Sequence, residues 1–255
     1  MKIATWNING VRARLERLVD WLVRAQPDAV CLQEIKCVDE QFPFQPIEEA
    51  GYHAAVYGQK GFNGVAILSR TEPIDVLRGL DDGVDDPQAR LIAATVEDVR
   101  VVSAYVPNGS EVGSDKYAYK LAWLDRLIGY LEAAGVPEAH LALCGDFNIV
   151  PEERDAHDPA AWEGTVLYNP EVRGLLGRIM GLGLADSLRK HREEAGLYSW
   201  WDYRRLAFPK NLGLRIDLIL CTPGLDARCT DVVIDRNERK GAKPSDHVPV
   251  IAEFQ

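Results

Sequence analysis

Apolar residues recur at three- and four-residue spacing in three stretches of the chain and cluster in short β-branched runs elsewhere. Over residues 11–26, Val11, Leu15, Leu18, Val19, Leu22 and Val23 share one face, with Arg12, Arg14, Glu16, Arg17 and Arg24 opposite, which predicts an amphipathic helix. A second helix is predicted over residues 116–134, with Leu121, Leu124, Ile128 and Leu131 in register. The third opens with Asn169 as N-cap and Pro170 at the first helical position, where a missing N–H costs nothing, and it turns Val172, Leu175, Leu176 and Ile179 inward.

Strands are predicted over residues 2–8, 29–33, 53–57, 65–69, 91–96, 99–106, 141–144, 215–221 and 248–254. Ala93 to Val102 reads as a hairpin turning at Glu97-Asp98, and consecutive strands without an intervening helix must pair antiparallel. A purely parallel doubly wound sheet is thereby disfavoured. Many strands with few helices point to β-sheets stacked on each other with helices on the outer faces, in one domain spanning 1–255.

Composition narrows the class. With 255 residues, 47% apolar and 27% charged, the chain can bury a substantial core, which excludes a disordered protein. Its apolar runs are broken well short of the ~18 residues that a membrane-spanning helix needs. Residues 1–7 turn polar before a signal-peptide core could form, so a cytoplasmic location is expected. The five cysteines lack metal-site spacing, and Cys31, Cys144 and Cys221 sit inside apolar runs as expected of buried free thiols. A net charge of −10 argues against a uniformly basic nucleic-acid coat. Arg189, Lys190, Arg192, Arg204, Arg205, Lys210 and Arg215 nevertheless outnumber the acids of their stretch, so a local basic surface is expected there.

Several predicted strands run into a carboxylate or carboxamide. Residues 29–33 lead to Glu34, residues 141–144 to Gly145-Asp146 and then Asn148, and residues 2–6 to Asn7 and Asn9. Asp217 lies within an apolar run, and Asp246-His247 precedes the last strand. Any one of these could simply cap a strand end through backbone amides. Their recurrence is harder to dismiss, because ionised groups at buried strand ends need a partner or a cation. Glu34, Asp146, Asn148 and Asp246 are hard oxygen ligands suited to Mg²⁺ or Mn²⁺, which makes metal-assisted phosphate chemistry the leading expectation. His247 gains interest from Asp217, since a buried carboxylate can hold an imidazole in one tautomer. The segment Leu197-Tyr198-Ser199-Trp200-Trp201-Asp202-Tyr203-Arg204-Arg205 interleaves aromatics with arginines, a combination suited to stacking on sugars or bases beside phosphates.

Seven motifs occur in a telling order: Trp6-Asn7-Ile8-Asn9-Gly10 followed by Arg12-Ala13, Leu32-Gln33-Glu34-Ile35-Lys36, Tyr105-Val106-Pro107-Asn108-Gly109, Gly145-Asp146-Phe147-Asn148-Ile149, Trp200-Trp201-Asp202-Tyr203-Arg204, Gly213-Leu214-Arg215-Ile216-Asp217 and Ser245-Asp246-His247-Val248-Pro249. In this order they resemble the exonuclease III family of class II apurinic/apyrimidinic endonucleases across essentially the whole chain. The resemblance implies an α/β fold, a four-layer sandwich of two mixed β-sheets flanked by helices as in deoxyribonuclease I. It also implies Mg²⁺-dependent hydrolysis of duplex DNA, 5′ to abasic sites and from 3′ ends, with Mn²⁺ as a substitute, no organic cofactor and a monomeric enzyme.

By that resemblance Glu34 is the principal metal ligand with Asn7 beside it, and Asp246 is a ligand at a second position. Asp146 orients or deprotonates the attacking water, and Asn148 fixes Asp146; both also count among the metal ligands. His247, oriented by Asp217, donates to a phosphate oxygen or shares in proton transfer, and Tyr105 bonds the scissile phosphate. Trp200, Leu214 and Ile216 correspond to an abasic-sugar pocket, while Asn108 and Arg204 join the DNA-binding set. Asn9 and Leu214 stand where some relatives have Asp and Trp, which inclines the chain toward the bacterial exonuclease III branch. The alternatives are another phosphoesterase of the same superfamily, or a DNA-binding relative with weak catalysis.

Overall fold

The computed structural model describes residues 1–136 and 140–255. Its strands are β1 (Lys2–Asn7), β2 (Ala29–Gln33), β3 (His53–Tyr57), β4 (Val65–Ser69), β5 (Ile74–Arg78) and β6 (Leu91–Val96). They continue with β7 (Val99–Tyr105), β8 (Leu141–Asp146), β9 (Ala185–Asp186), β10 (Asp217–Cys221), β11 (Cys229–Ile234) and β12 (Val250–Phe254). One six-stranded sheet runs β11-β12-β1-β2-β4-β3 and the other β5-β6-β7-β8-β10-β9. Each is mixed, because β1 pairs parallel with β2 and β7 with β8 while the remaining pairs are antiparallel.

The two-residue period of the strands explains the layering. In β8, Ala142 and Cys144 face the other sheet while Leu141 and Leu143 face outward to the helices. In β2, Ala29 and Cys31 point between the sheets and Val30 and Leu32 the other way. The inter-sheet core is filled by small and branched side chains, including the expected Cys31, Cys144 and Cys221; all five cysteines are buried and unpaired. Helices Asp115–Ala133 and Pro170–Gly181 contribute to the core outside one sheet, and helix Leu15–Ala25 to the core outside the other. The result is the expected four-layer α/β sandwich.

Most predicted elements match to within a residue or two, and the Asn169 side chain accepts from the Glu171 and Val172 N–H groups as an N-cap should. The first helix is the main correction. Residues 11–14 form a 3-10 turn before the α-helix begins at Leu15, which rotates the inward face to Leu18, Trp21 and Leu22 and leaves Val23 exposed. The strands missing from the sequence reading, β5, β9 and β11, all lie at sheet edges. Edges carry weak alternation, and β5 is also mostly exposed and interrupted by a register shift between Ile74 and Leu77.

Part of the expected basic surface is drawn into ion pairs within the fold. Arg215 is only 1% exposed and bonds Asp155 through Nε at 2.6 Å and Asp186 through a guanidinium nitrogen at 2.8 Å. Arg189 also binds Asp155, Arg192 reaches Asp231 and Lys190 reaches Asp226. Of that group, Lys190, Arg204, Arg205 and Lys210 remain exposed.

Candidate active site

Strand register assembles the site at one edge of the sandwich. In the second sheet, Tyr105 pairs with Asp146 and Asp146 with Asp217, so three candidate side chains lie side by side at one edge of adjacent strands. In the first sheet, Asn7 pairs with Gln33, and Glu34 follows immediately. The segment before β12 closes over this end, with Ser245 Oγ donating to the Asn7 carbonyl at 2.7 Å and Trp6 Nε1 to the His247 carbonyl at 3.2 Å.

The local backbone is constrained where the candidate residues lie. Asn9, Glu34, Lys36 and Asn148 all hold positive φ between 48° and 56°, a region non-glycine residues enter at a cost of about 1 kcal/mol or more. At position 145 a Cβ would stand 1.8 Å from the Ala104 carbonyl oxygen. Only glycine allows β7 and β8 to approach there.

The side chains form one network. Asn7 Nδ2 donates to Glu34 Oε1 at 2.8 Å and to Asp146 Oδ2 at 2.9 Å, holding two carboxylates on a single amide nitrogen. Tyr105 donates its phenol to the same Glu34 Oε1 at 2.9 Å. Asp146 Oδ1 accepts the Asn148 backbone N–H at 2.9 Å, and Asn108 Nδ2 donates to Asn148 Oδ1 at 3.0 Å. On the other side of Asp146, His247 Nε2 lies 3.7 Å from Oδ2, while His247 Nδ1 is 2.8 Å from Asp217 Oδ2. Asp246 accepts from Asn9 Nδ2 at 2.8 Å and from Trp200 Nε1 at 3.0 Å.

Burial polarises the set. It pushes the Asp146 carboxyl above its ordinary value, with the His247 charge only partly opposing. Burial alone would lower the His247 imidazole, yet Asp217 and Asp146 outweigh it and hold the ring well above its usual value. Burial acts upward on Glu34 too, but the Lys36 ammonium at 2.7 Å and the Asn7 amide bring it below the normal carboxylate range. The Tyr105 phenol is raised by burial and by Glu34 and Asp146, so it remains a donor. A buried imidazolium against one carboxylate and an ionised glutamate 2.8 Å from a shared amide form a preorganised charge pattern.

A hard divalent cation fits this donor chemistry. Asn7 gathers the Glu34 and Asp146 carboxylates together, an excess of negative oxygen that the Lys36 ammonium and the imidazole partly balance. Asp146, Asp217 and His247 also bring ligand atoms within 4.8 Å of one another. In that trio His247 Nδ1 is already committed to Asp217, which leaves the three groups poorly disposed as a cage.

Not every expected residue joins the network. Leu214 and Ile216 are 0% and 2% exposed, within the core outside the second sheet. Trp200 is half-buried and Arg204 exposed, and with His157, Trp162 and Arg205 they line a neighbouring cleft of about 450 Å³. Its walls include a T-shaped Trp162–Trp200 pair with ring centroids 6.2 Å apart. The second tryptophan of the motif, Trp201, is fully buried against Tyr198 and Phe208 and is structural.

Three contributors escaped the sequence reading. Lys36 lies inside a quoted motif, yet its pairing with Glu34 and with Asn9 Oδ1 depends on two left-handed residues. Lys120 is 0% exposed and donates to the carbonyls of Asn148 and Val166 at 2.7 Å each and of Asn108 at 3.2 Å. The one available signal was a lysine on the face of its helix shared with Tyr117, Trp123 and Leu124. Ser199, fully buried, bonds Asp217.

Residues 4–247 match the model of the endonuclease/exonuclease/phosphatase family. The chain is 39% identical to the exodeoxyribonuclease III of Haemophilus influenzae, over 100% of both chains. Among solved structures it is similar to the 3′ phosphatase NExo from Neisseria bound to a product DNA hairpin, with TM-score 0.97 and 42% identity over 100% of this chain and 99% of that one. An AP endonuclease from Archaeoglobus fulgidus is similar at TM-score 0.95 and 39% identity, over 100% and 99%.

Proposed function

The chain belongs to the endonuclease/exonuclease/phosphatase family, and on that premise we propose that it is a DNA repair nuclease using a divalent cation, Mg²⁺ by preference, to hydrolyse phosphodiesters of duplex DNA. Incision 5′ to abasic sites and cleaning or resection of 3′ ends are its proposed activities, carried by one catalytic unit over residues 1–255. The observation that carries the reading is the convergence of Asn7, Glu34, Tyr105, Asp146, Asn148, Asp217 and His247 in one bonded network at the sheet edge.

Each group has a physical task. Glu34 and Asn7 would hold the cation, with Asp146 and Asn148 bordering it and Asp246 at a second position. When bound, the metal supplies charge neutralisation on the phosphate oxygens and the leaving oxygen. Asp146, buried and raised, accepts the proton of an attacking water that it also orients. Asn148 holds Asp146 through its backbone N–H, with its own side chain anchored to the Val106 carbonyl and to Asn108. His247, kept cationic by Asp217, donates to a phosphate oxygen, and Tyr105 adds a second donor. Trp200, Arg204 and the adjoining cleft would receive the sugar and phosphates next to the cut, with Leu214 and Ile216 supporting that wall from beneath and Asn108 flanking the strand.

The test is product analysis on matched duplexes carrying an abasic site, a recessed 3′ end or a 3′-phosphate, with and without chelator. Metal-dependent cleavage that falls by several orders of magnitude in Asp146→Ala and His247→Ala, with unfolding midpoints unchanged, is expected. Near-parental rates in either variant refute the assignment.

A further inference from the structure

Ser199 lies in the aromatic-arginine segment, whose charged members reach the surface, yet it is 0% exposed. Its hydroxyl oxygen accepts the backbone N–H groups of Ile216 at 3.2 Å and Asp217 at 3.1 Å. A hydroxyl has two lone pairs and one hydrogen. With both lone pairs occupied, the hydrogen is left for a single direction, and it is donated to Asp217 Oδ2 at 2.6 Å.

That oxygen is also the one bonded to His247 Nδ1 at 2.8 Å, while Asp217 Oδ1 is buried with no hydrogen-bond partner among the described residues. The carboxylate is therefore oriented entirely through Oδ2, by two donors of which Ser199 is one. The serine backbone ties the same three segments together: its N–H donates to the Leu214 carbonyl and its carbonyl accepts from Val248, each at 2.9 Å. Residue 200 bridges both Leu214 and His247.

We propose that Ser199 is a positioning residue of the hydrolytic site, completing a Ser199–Asp217–His247 chain. Its hydroxyl fixes the plane of the Asp217 carboxylate, and through it the orientation of the His247 ring, whose Nδ1 faces Oδ2. Nε2 is thereby aimed at Asp146 and the phosphate. The inference rests on the reading above that His247 and Asp217 serve the reaction.

The experiment compares Ser199→Ala, the near-isosteric but weakly donating Ser199→Cys, and Ser199→Thr, which keeps the hydroxyl, on an abasic-site duplex with saturating Mg²⁺. The expected result is a kcat about ten- to a hundredfold lower in Ala and Cys with KM unchanged, and recovery in Thr. A proton NMR signal from the His247 Nδ1–H, far downfield in the parent, is expected to move upfield in Ala and Cys. In the Asp217→Ala background, adding Ser199→Ala is expected to cost nothing further, because the hydroxyl acts through that carboxylate. Parental kcat in both Ala and Cys, or a full additive loss in the double variant, overturns the proposal while leaving the nuclease reading intact. A parental rate in Asp217→Ala alone would overturn the role of the Asp217–His247 pair, and the proposal with it.

Discussion

Lys120 offers a test that joins folding to the site. Its ammonium is enclosed by three backbone carbonyls, two of which, Asn108 and Asn148, belong to loops lining the catalytic edge. Burial pushes it down from 10.5 to about 7, with the Asp146 charge opposing only in part. A drop of that size corresponds to about 5 kcal/mol of weakened preference for the charged form. The folded chain thus binds this proton less tightly than the unfolded chain, so the contribution to stability rises as pH climbs from about 7 toward 10.5 and the full penalty stands below 7. Lys120→Met abolishes that titration, but strips the donor from three carbonyls at about 1–3 kcal/mol for each left dry. Near neutral pH the two effects oppose, and the informative quantity is the slope. Urea unfolding followed by tryptophan fluorescence at intervals from pH 6 to 9.5 should show the parent gaining on the variant by up to about 1.4 kcal/mol per pH unit above 7. Loosening of the Asn108 and Asn148 loops should lower kcat at least tenfold. Parallel stability curves above pH 7 would mean that the ammonium titrates at its ordinary value and that the cage does not desolvate it.

Glu34→Ala should raise the Mg²⁺ concentration for half-maximal cleavage, read from a metal titration of the nicking rate; an unchanged requirement would assign the ligand elsewhere. Because burial raises the Asp146 carboxyl, the cleavage rate should fall about tenfold per unit as pH drops below that raised value, and a flat profile down to pH 5 would exclude Asp146 as proton acceptor. Asp155→Ala should destabilise the fold by about 3–5 kcal/mol in urea unfolding, because it leaves the fully buried Arg215 without its two-point partner; a loss under 1 kcal/mol would show that solvent reaches the guanidinium.

Residue periodicity carries burial, and burial is local enough to be read directly. That is why β2, β3, β4 and β6 match residue for residue, why the Asn169 cap is visible, and why Cys31, Cys144 and Cys221 were legible as core. Strands ending in Asn7, Glu34 and Asp146 announced a polar site as well, since ionisable groups at the tips of apolar runs need company. Which company they keep is a property of the sheets. Asn7 meets Asp146 across 139 residues and His247 meets Asp217 across 30, and only strand order and register bring them into contact. The same long-range pairing withdrew Arg189 and Arg215 from the expected basic surface, placed Lys120 in a carbonyl cage and set Ser199 behind Asp217. A charge along the chain looks the same whether solvated or paired; the difference is made by neighbours distant in sequence, and therefore by tertiary structure alone.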